Sequence, residues 1–179
     1  MKIKSLIASI VFSSLSLFSL NAFAVEPVSP NYDVALGQTV DLSQYTDEQK
    51  MQGPDGFYYI EFTPTQEVGS FKTYQMVVSP KSSKIFNISM YAPQKAVTTG
   101  GMSAGGCLKT KSDLMKVLES KYGEAETQMS TAKQDYITNT SHIKNNGKDI
   151  YISCASNNTM LQLIFEDVNV KAEAEKEVQ

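Results

Sequence analysis

The chain has 179 residues, of which 16 are basic and 19 acidic, giving a formal net charge of −3 at pH 7. Every basic residue is a lysine. Because arginine is the preferred group for reading guanine edges and phosphates, this acidic chain is predicted to have no nucleic-acid partner. One histidine and two cysteines, with no EF-hand loop, exclude the common zinc and calcium sites, so no metal and no cofactor are predicted.

Residues 1–24 contain the three parts of a signal peptide in the expected order. Lys2 and Lys4 precede an apolar stretch, and Ala22-Phe23-Ala24 forms a cleavage pattern that places the mature N-terminus at Val25. The apolar stretch is shorter than the ~20 residues of a membrane-spanning helix, so no transmembrane segment is predicted. We expect export, with the bacterial periplasm preferred and an extracellular location as the alternative.

The first half of the remaining chain is predicted to be mostly strands. Residues 25–52 have few periodic apolar positions and are expected to form an irregular lead-in, with a short strand or turn near residues 34–42. The GPDG sequence at 53–56 indicates a turn. Alternating apolar and polar residues then predict three strands, over residues 57–62, 71–78 and 85–92. The last two are expected to form a hairpin with a polar loop.

A glycine-rich stretch precedes the single predicted helix. It is not a phosphate-binding loop, because Cys107 stands where such a loop requires lysine. We therefore expect a glycine-hinged connector. The helix is predicted over residues 112–123, with Thr110 or Ser112 as its N-cap and Gly123 at its C-terminal end.

The second half of the chain returns to strands. They are predicted over residues 136–143, 149–156 and 160–168, and Asn146-Gly147 favours a hairpin turn between the first two. Residues 169–179 are interpreted as a charged tail, too short to be a stable helix alone. Residues 53–168 are thus predicted to be one α+β domain. Its order is β-β-β-α-β-β-β, with a mainly antiparallel sheet packed by one helix.

Cys107 and Cys154 are expected to form a disulfide, because the chain is predicted to be exported to an oxidising compartment. A loop of this length would stabilise the fold by about 4 kcal/mol in the chain-entropy model. Ile150, Ile152 and Cys154 alternate along one strand, so the cysteine should face the core.

The sequence predicts no catalytic residues and therefore no enzyme. The lone His142 lies near a hairpin turn and is expected at the surface, and no nucleophile motif accompanies it. Glu166 and Asp167 are adjacent at a strand end, where their side chains should diverge, so they do not make a carboxylate pair.

A run of positive charge suggests a binding surface. There is no acidic residue between Glu67 and Asp113. The candidate residues in this region are Lys72, Lys81, Lys84, Lys95, Lys109 and Lys111, with Tyr74 and Tyr91. The hypothesis is a positive surface that binds a protein partner with an acidic surface. The alternative is that the lysines protect strand edges and hairpin tips from aggregation, since their spacing does not place all six on one face.

These features together predict a small exported binding protein, such as an inhibitor, an immunity-type protein or an accessory protein of an envelope assembly. The alternative is a small-ligand carrier, or a hydrolase whose site is built from residues scattered in sequence. A carrier would need an apolar cavity between the helix and the sheet.

Overall fold

The computed structural model describes residues 34–94, 98–99, 102–103, 106–129, 139–155 and 159–179, and gives only the backbone of residues 98–99, 102–103, 127–129 and 139. The predicted signal peptide, the first part of the lead-in and Lys95 lie outside the described residues.

The described part of the chain forms ten strands and two α-helices. The strands are β1 (Lys50–Gln52), β2 (Tyr58–Glu61), β3 (Thr73–Val78), β4 (Ile85–Pro93), β5 (Thr98–Thr99), β6 (Met102–Ser103), β7 (Glu126–Met129), β8 (Asn139–Asn145), β9 (Lys148–Ala155) and β10 (Met160–Asp167). The α-helices are α1 (Gly106–Tyr122) and α2 (Val168–Glu177), and Leu42–Gln44 form a short 3-10 helix.

Eight of the strands form one sheet in the order β1-β2-β3-β4-β10-β9-β8-β7, while β5 pairs with β6. Each neighbouring pair in the large sheet is antiparallel. The central contact between β4 and β10 joins the first half of the chain to the second. The predicted α+β class with an antiparallel sheet and a Cys107–Cys154 disulfide is confirmed.

The main core lies between one face of the sheet and α1. Buried residues of α1, including Met115, Leu118 and Tyr122, pack on β8, β9 and β10. Cys154 in β9 is fully buried and bonded to Cys107 in the first turn of α1, so the predicted direction of the cysteine is confirmed.

The described part of the lead-in covers the same face beside α1. Val40 is buried with Ile60, Met76 and Ile85, and its backbone N–H donates to the Ser83 carbonyl oxygen in the β3–β4 turn at 2.8 Å. The apolar residues of this segment follow no strand or helix period because its backbone is irregular. Their burial still holds the segment against the sheet.

Helix α1 begins at Gly106, six residues before the predicted start, and ends at Tyr122 as the sequence indicates. Neither proposed N-cap holds, because both Thr110 and Ser112 lie inside the helix. The Thr110 hydroxyl donates to the Gly106 carbonyl oxygen at 2.9 Å. The disulfide at Cys107 fixes the additional first turn, which helix propensity alone does not predict.

The prediction of a single helix is wrong, because α2 occupies most of the segment interpreted as a charged tail. Asp167 caps its N-terminus by accepting hydrogen bonds from the backbone N–H groups of Asn169 and Val170 at 3.0 and 3.1 Å. Ala174 is 1% exposed and packs with Phe57. A capped N-terminus and tertiary packing therefore stabilise a helix that would be marginal in isolation.

Candidate functional site

The sheet face opposite α1 is built from the alternate strand residues that do not enter the main core. We call it the outer face. Among the described elements, α2 packs on this face at the end formed by the β3–β4 and β8–β9 turns. Away from α2, the outer face consists mainly of tyrosine, amide, hydroxyl and carboxylate side chains.

Strand register aligns these side chains in rows across the sheet. The central row runs through Glu61, Gln75, Ser89, Ile164, Tyr151, His142 and Glu126, each paired with the next. These seven residues come from seven different strands, and Glu61 and Ile164 are 103 positions apart in the sequence. Only the folded sheet brings them together.

Two adjoining cavities of about 560 and 240 Å³ lie on the outer face. Both are lined by Tyr59 and Gln75, so they form one depression, which we call the trough. The larger cavity extends toward Tyr45 and Glu48 beside β1, and the smaller extends over β4 and β10 to the edge of α2.

Gln75 lies between two tyrosine side chains in the trough. Tyr59 pairs with Val77 and Tyr91 pairs with Thr73, so the tyrosines are diagonal neighbours of Gln75 on opposite sides. Diagonal neighbours in a sheet are about 7–8 Å apart. Gln75 is half-buried, and its amide makes no hydrogen bond within the described part of the chain.

The hydroxyl groups of both tyrosines are held by neighbouring side chains. The Tyr59 hydroxyl donates to Asp55 Oδ2 at 2.6 Å, and this hydrogen bond, with burial, raises the pKa of Tyr59 to about 12. Gln162 Nε2 donates to the Tyr91 hydroxyl at 3.4 Å, while Gln162 Oε1 accepts from Ser153 at 3.3 Å. Both tyrosine side chains are therefore tethered by hydrogen bonds through their hydroxyl groups.

Both lysines in the lining of the trough are paired with carboxylates. Lys171 contacts Glu166 at 3.1 Å, and Asn87 donates to the same carboxylate at 3.3 Å. Lys72 is paired with Glu67. The interior of the trough consequently presents uncharged donors and acceptors rather than a net positive surface.

Comparison of the chain with protein-family models, with curated proteins and with solved structures finds no match.

His142 lies in the same central row as Gln75, but it is buried. It is 5% exposed, and its ring stacks on Tyr151 with centroids 4.3 Å apart and an interplanar angle of 15°. Its Nε2 lies 3.2 Å from Asp149 Oδ2 without making a hydrogen bond. The Tyr151 hydroxyl donates to the same carboxylate at 3.0 Å, and burial, with this bond, raises the pKa of Tyr151 to about 12. The expectation of a surface histidine is wrong, because cross-strand packing on Tyr151 covers the ring.

Among the residues whose side chains the structure describes, no three His, Cys, Asp or Glu side chains are grouped to hold an ion. Within the same residues, no helix is long and apolar enough to cross a membrane.

The lysines of the sequence hypothesis lie at separate places in the fold. Lys72 precedes β3, whereas Lys81 and Lys84 lie in the turn that follows it, at the opposite end of the strand. Lys84 lies 3.6 Å from Glu173 of α2. Lys109 projects from α1 and contacts Asp113 at 2.6 Å. These four described lysines therefore do not form one surface.

Two other residues of that hypothesis are buried. Lys111 is 5% exposed on the core side of α1, where burial lowers its pKa. Tyr74 is 3% exposed, and its hydroxyl donates to the Phe71 carbonyl and accepts from the Val68 N–H. Placing Lys111 and Tyr74 on a binding surface is thus corrected, because both face the core. Of the proposed residues, Lys72, Tyr74 and Tyr91 contribute to the lining of the trough, although the Tyr74 side chain is only 3% exposed.

Sequence reasoning missed Tyr59 and Gln75 as site residues. Alternation along each strand assigns them to a face, but the sequence does not specify which strands are neighbours. The half-buried tyrosine and amide residues of β2, β3 and β4 become a site only after their registers are fixed.

Proposed function

We propose that the protein is exported and acts by binding, with the trough as its binding site. The basis for export is the signal-peptide pattern of residues 1–24, and the disulfide suits an oxidising compartment. The bacterial periplasm is the preferred location. An inhibitor, an immunity-type protein or an envelope accessory protein would each use such a module.

The observation that carries the proposal is the trough between Tyr59 and Tyr91. Ligand sites are commonly concave, partly preformed and about 300–1,000 Å³ in volume, with a few placed polar groups. The larger cavity, of about 560 Å³, falls in this range, and the tethered tyrosines supply preformed walls. Tyrosine suits binding sites because it offers a large contact area with little conformational entropy to lose.

The structure gives less support to a carrier with an apolar cavity under α1. In the described residues, the space between α1 and the sheet is filled by side chains such as Met115, Leu118 and Phe165. The two described cavities lie on the outer face instead. The trough is therefore the preferred site.

Site-specific photocrosslinking in the producing cell tests the binding site. A benzoylphenylalanine replaces Thr73, which is exposed and lines the trough, and in a control variant it replaces Val117, which is 60% exposed on α1. We expect a defined adduct from position 73 and none from position 117. Equal labelling from both positions, or no adduct from position 73, would contradict the proposed site.

Export is tested on the same cells. The mass of the accumulated protein should correspond to a chain that begins at Val25, and the protein should be released with the periplasmic fraction. A chain retained at full length in the cytoplasm would overturn this part of the proposal.

A further inference from the structure

We propose that the trough binds a neutral oligosaccharide. This inference rests on the proposed function, because it requires the trough to be the binding site. It names the class of ligand that the side chains around Gln75 fit best.

The trough is poorly suited to adding a strand from a partner protein. Its floor is formed by β2, β3, β4 and β10, and each of these strands has a hydrogen-bonded neighbour on both sides. Strand addition needs an unpaired edge whose N–H and C=O groups are available. A ligand here must therefore be recognised by side chains.

The trough is also poorly suited to an amphipathic helix. Helix-in-groove recognition requires accessible apolar anchors. Three apolar residues beside the smaller cavity, Phe57, Val77 and Phe86, are 7%, 6% and 3% exposed because they pack with α2. The accessible aliphatic side chains of the lining are Ile164, which is partly buried, and Met51 at the far end of the larger cavity, and two separate side chains do not make a continuous apolar groove. The accessible floor between the tyrosines is the amide of Gln75.

A sugar ring matches this combination of groups. Its C–H faces pack on aromatic rings, whose faces carry negative partial charge, and Tyr59 and Tyr91 offer two such rings. Each sugar hydroxyl both donates and accepts, and an amide side chain provides two donors and one acceptor oxygen on neighbouring atoms. The Gln75 amide, with no hydrogen bond inside the described chain, can serve hydroxyls of a ring held between the tyrosines.

The charges around the trough indicate a ligand without acidic groups. Asp55, Glu48 and Glu61 are exposed carboxylates in its lining, whereas Lys72 and Lys171 are each paired with a carboxylate. A uronic acid or sulfated sugar would be repelled by this border and would find no unpaired cation among these residues.

Titration calorimetry of the exported, oxidised protein tests the inference. The probes are four neutral hexasaccharides, of glucose, N-acetylglucosamine, mannose and xylose units, and an oligogalacturonate of the same length as the anionic comparison. We expect at least one neutral hexasaccharide to bind, and to bind about tenfold or more tightly than the oligogalacturonate.

Variants locate the binding. Gln75→Ala should weaken binding of that hexasaccharide about tenfold, since it removes hydrogen bonds to a bound ligand. Gln66→Ala, an exposed amide outside the trough lining, should leave it unchanged. Thermal unfolding checks that both variants are folded, and Tyr91→Ala, which removes one of the two aromatic rings, is a second variant that should also weaken binding.

Failure of all four neutral probes to bind the folded protein would overturn the inference, as would binding that Gln75→Ala leaves unchanged. The crosslinking experiment separates this failure from failure of the proposed function. An adduct between position 73 and a protein, without saccharide binding, would keep the trough as a binding site and reject the oligosaccharide.

Discussion

Glu177, in the last turn of α2, accepts a hydrogen bond at 2.9 Å from the backbone N–H of Lys81 at the tip of the β3–β4 hairpin. The neighbouring N–H of Ser82 donates to the same oxygen at 3.2 Å. This contact joins parts of the chain that are 96 residues apart. Together with the Asp167 cap, it fixes α2 at both ends beside the trough.

Removing the Glu177 carboxylate should loosen the C-terminal end of α2. We expect Glu177→Ala to lower the free energy of unfolding by about 1 kcal/mol at pH 7, the usual size of a partly exposed charge-assisted hydrogen bond. Urea denaturation measures the change. Glu175→Ala, an exposed position on the same helix, is the matched control and should have a smaller effect.

The contribution of Glu177 should also depend on pH. Burial acts to raise the pKa of Glu177, but the hydrogen bonds from Ser82 and from the N–H groups of Lys81 and Ser82 outweigh it and lower the pKa below 4.5. A lowered pKa in the folded state gives stability that is present above the ordinary pKa and is lost as the pH falls through the folded value. The difference between wild type and Glu177→Ala should therefore shrink at acidic pH. A difference of constant size would contradict this assignment.

Asp167 combines the N-cap of α2 with a contact to Lys148, and both side chains are largely buried. We expect Asp167→Ala to lower the free energy of unfolding by about 2 kcal/mol or more, since it removes the cap and leaves the lysine without this partner. Asp167→Asn keeps a capping oxygen and should cost less. If Asp167→Ala and Asp167→Asn lowered the free energy of unfolding equally in urea denaturation, the charge of Asp167 would account for its whole contribution and the capping oxygen for none of it.

Local patterns predicted the hairpins well. β3 and β4 lie within two residues of the predicted strands because alternation and the polar loop are encoded in adjacent residues. The Asn146-Gly147 turn is likewise confirmed, with φ of +47° and +76° at its two residues. These positive φ values are those of a type I′ hairpin turn, which asparagine and glycine favour.

Features that depend on distant contacts were not predictable in this way. The position of α2 depends on its packing with Phe57, and the first turn of α1 depends on the disulfide to Cys154. The trough depends on the register that places Gln75 between two tyrosines. The spacing of lysines in the sequence likewise does not show which of them are exposed. Lys111 faces the core, whereas Lys109, two positions earlier, faces solvent.

The turn residues permit a direct test of backbone conformation. Gly147→Ala places a Cβ at a residue with φ +76° and 2.6 Å from Asn169 Nδ2, so we expect it to destabilise the protein by about 1–2 kcal/mol. Asn146→Gly suits the positive φ of that position and should change the stability by less than about 0.5 kcal/mol. Thermal unfolding measures both changes. If Asn146→Gly destabilised the protein more than Gly147→Ala, the type I′ assignment would be contradicted.

The disulfide should supply a large part of the stability. The bond joins residues 47 positions apart, and both sulfurs lie in the core. We expect the double variant Cys107→Ala/Cys154→Ala to lose about 4 kcal/mol in urea denaturation. Reductant should reproduce this loss in the wild type and leave the double variant unaffected. A stability of the wild type that is insensitive to complete reduction would show that the crosslink contributes little.

The pairing of Tyr59 with Asp55 should appear in the alkaline titration of the protein. The Asp55 carboxylate accepts the Tyr59 proton in a hydrogen bond and raises the pKa of Tyr59 to about 12, above its ordinary value of 10.0. A raised folded-state pKa stabilises the fold below the unfolded value, and this stability is lost as the pH rises through about 12. The free energy of unfolding should therefore fall as the pH rises from 10.0 to about 12.

Ultraviolet difference absorption follows the formation of tyrosinate. We expect Asp55→Asn to bring the titration of one tyrosine back toward pH 10, because an amide does not repel the phenolate as a carboxylate does. Tyr59→Phe should remove that titration and identify it. Asp47→Asn, whose carboxylate is 99% exposed and contacts Lys50, is the control and should leave the curve unchanged. If Asp55→Asn had no more effect than this control, the carboxylate would not be what holds the Tyr59 ring at the wall of the trough.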